Sequence, residues 1–213
     1  LCLGLRKAPD TGPPILLRQL PALLRSRTLV ACSLLAILAQ TVAFSTYSSF
    51  VSNHAAAIGA QPAQLSGMNI ALMVPVVLVN YLVARRWLPR YGLRPLLLCG
   101  FAATALYCLL LPAAGRMAQV YALQALAGVG NSLTIAVLLG GCVRGVEPRF
   151  RATAMGVFQA VYGLGMAGGP VLMGSLTDRF GLRTAFWAMG AVSLLALALT
   201  PALLPPARDE AGR

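Results

Sequence analysis

Charged side chains are scarce in this sequence. Only 10% of its 213 residues are Asp, Glu, Lys or Arg, and 5 acidic residues stand against 17 basic ones. Soluble domains carry about 25% charged residues. This shortage argues against an ordinary soluble domain.

Side chains typical of catalysis are also few. The single histidine, His54, lies in a polar gap between apolar runs, and no G-x-S-x-G occurs. The buried serine–histidine pair of an intramembrane protease is therefore not expected. The 5 cysteines contain no C-x-x-C pair, which argues against a disulfide frame or a metal site and favours small apolar packing residues. We predict neither an enzyme nor a cofactor.

The sequence contains long runs of apolar residues instead of charged ones. Hydrophobic residues make up 58% of the sequence, and its mean hydropathy is +0.77. Runs of about 20 apolar residues suit helices that cross a bilayer, where backbone groups must be satisfied within the segment. The sequence predicts an all-α membrane protein with six spans, at residues 28–51, 65–83, 95–113, 119–142, 152–174 and 184–204.

The basic residues lie on alternate sides of these runs. Residues 1–27, the second-to-third gap, the fourth-to-fifth gap and the tail at 205–213 hold 14 of them, and the other gaps hold 3. By the positive-inside rule, both termini are cytoplasmic in a plasma (inner) membrane protein. We interpret the net charge of +12 as an orientation signal and a contact with anionic lipid, not as a nucleic-acid site.

One short motif occurs twice. Arg90-Tyr91-Gly92-Leu93-Arg94 recurs as Arg179-Phe180-Gly181-Leu182-Arg183, 89 positions later. Each copy lies between the second and third runs of a three-run set. Because an odd number of spans turns the second set over in the bilayer, the pattern predicts two inverted three-helix repeats.

The second copy belongs to a longer motif. Residues 174–183 read G-x-L-x-D-R-x-G-x-R, in which Gly174 allows close helix approach and Gly181 a tight reversal. Asp178 can cap a turn or pair with an arginine, and Arg183 can hold a carboxylate or a helix C-terminus. A latch between moving helices and an ordinary charged hairpin both remain open.

This motif resembles the loop G-x-L-x-D-R-x-G-R-[RK] of the major facilitator superfamily. The first copy keeps Arg90, Gly92 and Arg94 but has Pro89 at the position of the aspartate. Residues 151–156, followed by Gly169-Pro170, resemble the lead-in and body of that family's eleventh helix. The resemblance covers about residues 25–204. It implies the C-terminal half of a twelve-helix carrier, with an N-terminal half as the alternative, and its partner would be the missing half or a second copy.

Neutral polar residues supply the candidates for a substrate cavity. No charged residue falls inside a predicted span, so a proton-coupling group would lie outside this sequence. The candidates share helix faces at spacings of three, four or seven residues, and of eleven residues in the second span. They are Gln40, Phe44 and Tyr47 in the first span, Asn69 and Asn80 in the second, Gln124 and Asn131 in the fourth, and Gln159 and Tyr162 in the fifth.

The fifth span is also rich in small residues. Gly165 and Gly169 form G-x-x-x-G, and Pro170 follows. Both a hinge and static close packing fit this pattern. The whole sequence predicts a secondary transporter of a small organic solute that uses alternating access; a non-transporting scaffold or a degraded remnant is the alternative.

Overall fold

The computed structural model describes residues 27–144 and 146–204. Across these residues the chain is helical, without strands, and five helices are long and apolar enough to cross a membrane. The all-α prediction is confirmed. The expected leader at 1–27 (except Arg27) and the tail at 205–213 lie outside the described residues. The helices are α1 Arg27–Ala57, α2 Pro62–Tyr91, α3 Leu93–Ala113, α4 Met117–Cys142 and α5 Arg151–Leu203.

Helix α5 is interrupted at Gly181. A straight helix of its 53 residues would be about 80 Å long. Gly181, however, has non-helical backbone angles (φ 81°, ψ 159°), which divide α5 into an N-terminal arm, 151–180, and a C-terminal arm, 182–203. Ala154 in the first arm and Ala196 in the second belong to the same buried cluster. The two arms therefore fold back on each other.

Two buried clusters fill the two ends of the helix bundle. One contains Leu29 at the start of α1 and Leu97 near the start of α3, and we call this the basic end because most of the described arginines lie there. The other contains Tyr47, Tyr107 and Phe186. Each helix or arm contributes to both clusters, so each one runs from one end of the bundle to the other.

Glycines bring helix backbones into contact at two interfaces. A methyl group added at Gly169 would lie 2.6 Å from the carbonyl oxygen of Thr41, so the N-terminal arm of α5 lies directly against α1. At Gly128 of α4, an added methyl would clash with the carbonyl oxygen of Leu72 in α2. Small residues allow such approach where lipid offers no hydrophobic drive for association. The G-x-x-x-G pair of the fifth span is thus part of a packed helix interface.

Candidate functional site

A hydrogen bond joins α1 to α4 through two of the predicted cavity residues. The hydroxyl of Tyr47 donates to Oδ1 of Asn131 at 2.9 Å. Tyr47 is 4% exposed, and Asn131 is half-buried. The two residues are 84 positions apart in the sequence. The fold therefore creates a polar contact from helix faces that the sequence could only describe separately.

Gln124 lies on the same face of α4 and also contacts Tyr47. Its Nε2 donates to the main-chain oxygen of Tyr47 at 3.4 Å, and the residue is 1% exposed. Among the described residues, its Oε1 has no hydrogen-bond partner. On α1, Gln40 is buried and Phe44 is half-buried. Tyr47, Gln124 and Asn131 thus form a polar cluster, to which we refer as the Tyr47 cluster.

Sequence reasoning missed a neighbour of this cluster, Tyr107 of α3. Its ring packs edge-on against the ring of Tyr47, with centroids 5.9 Å apart and an interplanar angle of 73°. Its hydroxyl is buried and has no partner within the part of the chain that the structure describes. The one available indication was a tyrosine inside the otherwise apolar third span, because a buried tyrosine hydroxyl usually finds a polar partner.

Four other candidates lie apart from the Tyr47 cluster. Tyr162 is half-buried in the N-terminal arm of α5, where its ring meets Phe158 edge-on at a centroid distance of 5.3 Å. The other three are exposed on the surface of the bundle and are Asn69, Asn80 and Gln159. Three of the nine candidates are therefore exposed, and the other six are buried or half-buried.

The repeated motif has the same unusual backbone conformation in both copies. Gly92 has φ 76° and ψ −175°, and Gly181 has φ 81° and ψ 159°. This region of backbone space is accessible almost only to glycine. Each glycine separates one helical segment from the next. The aromatic residue before it is exposed in both copies, Tyr91 by 49% and Phe180 by 63%.

The charged residues of the two turns lie at the surface. The guanidinium of Arg90 lies 5.5 Å from the ring centroid of Tyr91, and that of Arg183 lies 4.7 Å from the ring centroid of Trp187. These distances fit cation–π contacts. Asp178 and Arg179 are exposed, and Arg94 is half-buried. Pro170 and Gly174 lie within the N-terminal arm of α5.

An apolar cavity lies elsewhere, between α1 and the C-terminal arm of α5. Its volume is about 280 Å³, and only aliphatic side chains line it: Leu34, Leu35, Ile37, Leu38, Leu199 and Leu203. None of the predicted cavity residues belongs to it. Among the described residues, no group of three or more His, Cys, Asp or Glu side chains could hold a metal ion.

Comparison of the sequence with known protein families identifies the family of this chain. The family model of the Major Facilitator Superfamily matches residues 29–213, which is most of the chain. The chain belongs to the major facilitator superfamily. Its membership and its apolar helices make it an integral membrane protein of a transporter family. The resemblance that the repeated motif suggested is confirmed.

A more distant similarity connects this superfamily member to a named transporter. Citrate exporter 1 of Aspergillus niger is 27% identical over 152 residues, which cover 65% of this chain and 29% of the exporter. A second protein of that name, from a specified strain of Aspergillus niger, matches with the same figures. The chain thus spans about 29% of the length of these curated relatives.

Proposed function

We propose that this chain is a six-helix half of a secondary active transporter that moves a small organic solute by alternating access. The six spans are α1 to α4 and the two arms of α5. They form two inverted repeats, α1–α3 and α4 with the two arms. The resemblance of the fifth span to the eleventh family helix favours the C-terminal half. The partner is then the missing half or a second copy of this chain.

The equivalence of Gly92 and Gly181 supports the inverted repeats. Both glycines follow the second helix of their repeat and precede the third, and both have the same glycine-only backbone conformation. Two unrelated hairpins would have little reason to share it. The arginines at the basic end favour a cytoplasmic location for that end, with both termini on the same side of a plasma membrane.

Helix packing gives a second line of support. If the first repeat is superimposed on the second, α1 corresponds to α4, and α2 corresponds to the N-terminal arm of α5. The contact of α1 with that arm then corresponds to the contact of α4 with α2. In the structure both contacts exist, and both place a glycine against a main-chain carbonyl: Gly169 against Thr41, and Gly128 against Leu72.

The hydrogen bond between Tyr47 and Asn131 is the observation that carries the solute-binding proposal. It lies between α1 and α4, which the repeat relates to each other, and it is formed by neutral groups. An amide and a phenol with aromatic neighbours suit a neutral or amphipathic solute. The described charged residues lie near helix ends and in the motif turns. A polyanion such as citrate would therefore need its counter-charge from other parts of the carrier.

Flux measurements in vesicles test this proposal. The full-length protein would be reconstituted and given radiolabelled neutral and amphipathic solutes, with citrate as a separate arm. We expect saturable uptake and counterflow, which Asn131→Leu lowers without lowering expression. Asn53→Leu, the same change at an exposed position of α1, is the matched control.

Three outcomes would count against the proposal. Flux equal to that of empty vesicles for every solute would favour a non-transporting scaffold or a degraded remnant. Flux that Asn131→Leu does not lower would remove Asn131 from the binding site, although the protein would still be a transporter. Saturable flux of citrate alone would contradict the preference for neutral solutes.

A further inference from the structure

Helix α1 changes its hydrogen-bond pattern at Tyr47. Residues Thr46–Phe50 form a π-helical turn, in which the N–H of Val51 bonds to the carbonyl oxygen of Thr46. In an α-helix the same N–H would bond to the carbonyl oxygen of Tyr47, four residues back. In the π turn, therefore, the Tyr47 carbonyl oxygen, in the interior of the bundle, does not accept from the N–H of Val51.

The side chain of Gln124 supplies a replacement donor. Its Nε2 lies 3.4 Å from the Tyr47 carbonyl oxygen, which is a long hydrogen bond, and its Oε1 has no partner among the described residues. Turning the amide over would place two acceptor oxygens against each other, since a carbonyl cannot donate. The amide nitrogen of Gln124 is consequently the atom that hydrogen-bonds to α1.

Helix α4 contacts Tyr47 at two points. Gln124 bonds to its main chain, and Asn131, seven residues further along the same face of α4, accepts from its hydroxyl. If the π turn returned to α-helical hydrogen bonding, the turn would contain one residue fewer. The side chains on one side of the turn would then rotate about the helix axis by about 100° relative to those on the other side. The Tyr47 hydroxyl could not then keep its bond to Asn131.

We propose that Gln124 is a positioning residue, which stabilises the π turn of α1 so that the Tyr47 hydroxyl faces Asn131. This inference rests on the proposed function, in which Tyr47 and Asn131 bind the solute. Gln124 itself is 1% exposed, whereas Asn131 is half-buried and is the more accessible of the two. The solute thus meets Asn131, and Gln124 acts through Tyr47.

The test measures the Tyr47 hydrogen bond directly and needs no solute. Ultraviolet resonance Raman spectra of the purified full-length protein report tyrosine hydrogen bonding, and subtraction of the Tyr47→Phe spectrum isolates Tyr47. We expect Gln124→Leu to abolish the hydrogen-bonded Tyr47 signal, although Tyr47 and Asn131 are both intact. Gln159→Leu, the same change at an exposed position, should leave the signal unchanged.

The variant Gln124→Glu provides a conservative rescue. At low pH the introduced acid is protonated, and its O–H can donate to the Tyr47 carbonyl. At high pH it is an anion and cannot donate. We expect the Tyr47 signal to be present at low pH and lost at high pH in this variant, and to stay constant over the same range in the unmodified protein.

These measurements separate the positioning role from the transport function. An unchanged Tyr47 signal in Gln124→Leu would overturn the inference, whether or not the protein transports a solute. If Gln124→Leu does not fold, Gln124→Glu decides, and a Tyr47 signal that does not follow pH overturns the inference. Absence of flux in vesicles would refute the proposed function while leaving the Raman result intact.

Discussion

Replacing Gly169 by alanine should force α1 and the N-terminal arm of α5 apart. The added methyl group would lie 2.6 Å from the carbonyl oxygen of Thr41, 2.8 Å from Oγ of Ser45 and 3.0 Å from Cα of Thr41. Cβ contacts under 3.0 Å are essentially never seen, and the nearest atom belongs to the backbone of Thr41, which cannot rotate away as a side chain can. To restore a 3.0 Å contact, one helix must move by at least 0.4 Å (3.0 − 2.6).

The expected cost follows from two opposing terms. Overpacking of a close-packed interior costs about 1–3 kcal/mol. Alanine is favoured over glycine inside a helix by about 1 kcal/mol, which offsets part of this cost. The net cost is about 0–2 kcal/mol relative to the unmodified protein, and about 1–3 kcal/mol relative to a variant that gains the alanine preference without a clash. At about 2–4 °C per kcal/mol for a chain of this size, the Tm of the purified protein in detergent should lie about 2–12 °C below that of such a variant.

Gly168 supplies a matched control on the same helix. A methyl group added there has no other atom within 4 Å, so Gly168→Ala gains helix propensity without a clash. Its Tm should be unchanged or higher. If thermal unfolding followed by circular dichroism gave the same Tm for both variants, the backbone contact between α1 and α5 would be refuted.

Three further predictions concern the turn, the helix contacts and the site. Gly181→Ala should cost about 1–3 kcal/mol, because alanine is strained at φ 81°, whereas Gly115→Ala, with open space around it, should be neutral in the same thermal assay. Ser193→Ala should cost about 0.6–2 kcal/mol through loss of its buried bond to the carbonyl oxygen of Phe101; an unchanged Tm would contradict this bond. Asn131→Leu should lower solute flux with normal membrane expression, measured in vesicles; full flux would exclude Asn131 from the site.

The repeated turn was the most predictable part of the fold. The sequence placed Gly92 and Gly181 at corresponding positions, and the structure gives both the same positive-φ conformation. This prediction was possible because glycine is nearly the only residue that can adopt that conformation, so its position carries structural information. The helical conformation of the long apolar runs was predictable for a similar reason. In lipid, the backbone must satisfy its hydrogen bonds within the segment, which permits few alternatives.

The arrangement of the site was less predictable. Spacing placed Gln124 and Asn131 on one face of α4, but spacing alone does not say which helix meets that face. For the same reason, spacing could not show that Asn69 and Asn80 lie at exposed positions of α2. The π turn had no strong local indication either, since residues 46–50 contain neither proline nor glycine. Its stabilising contact comes from Gln124, 77 positions away.

The inverted relationship of the two repeats is tested most directly by the sidedness of the two turns. Tyr91→Cys and Phe180→Cys, each in a cysteine-free background, would be treated in sealed vesicles with a membrane-impermeant maleimide. Both positions are well exposed, by 49% and 63%, so reagent can reach either from its own side. We predict labelling from opposite sides of the membrane. Labelling of both cysteines from one side would contradict the proposed architecture.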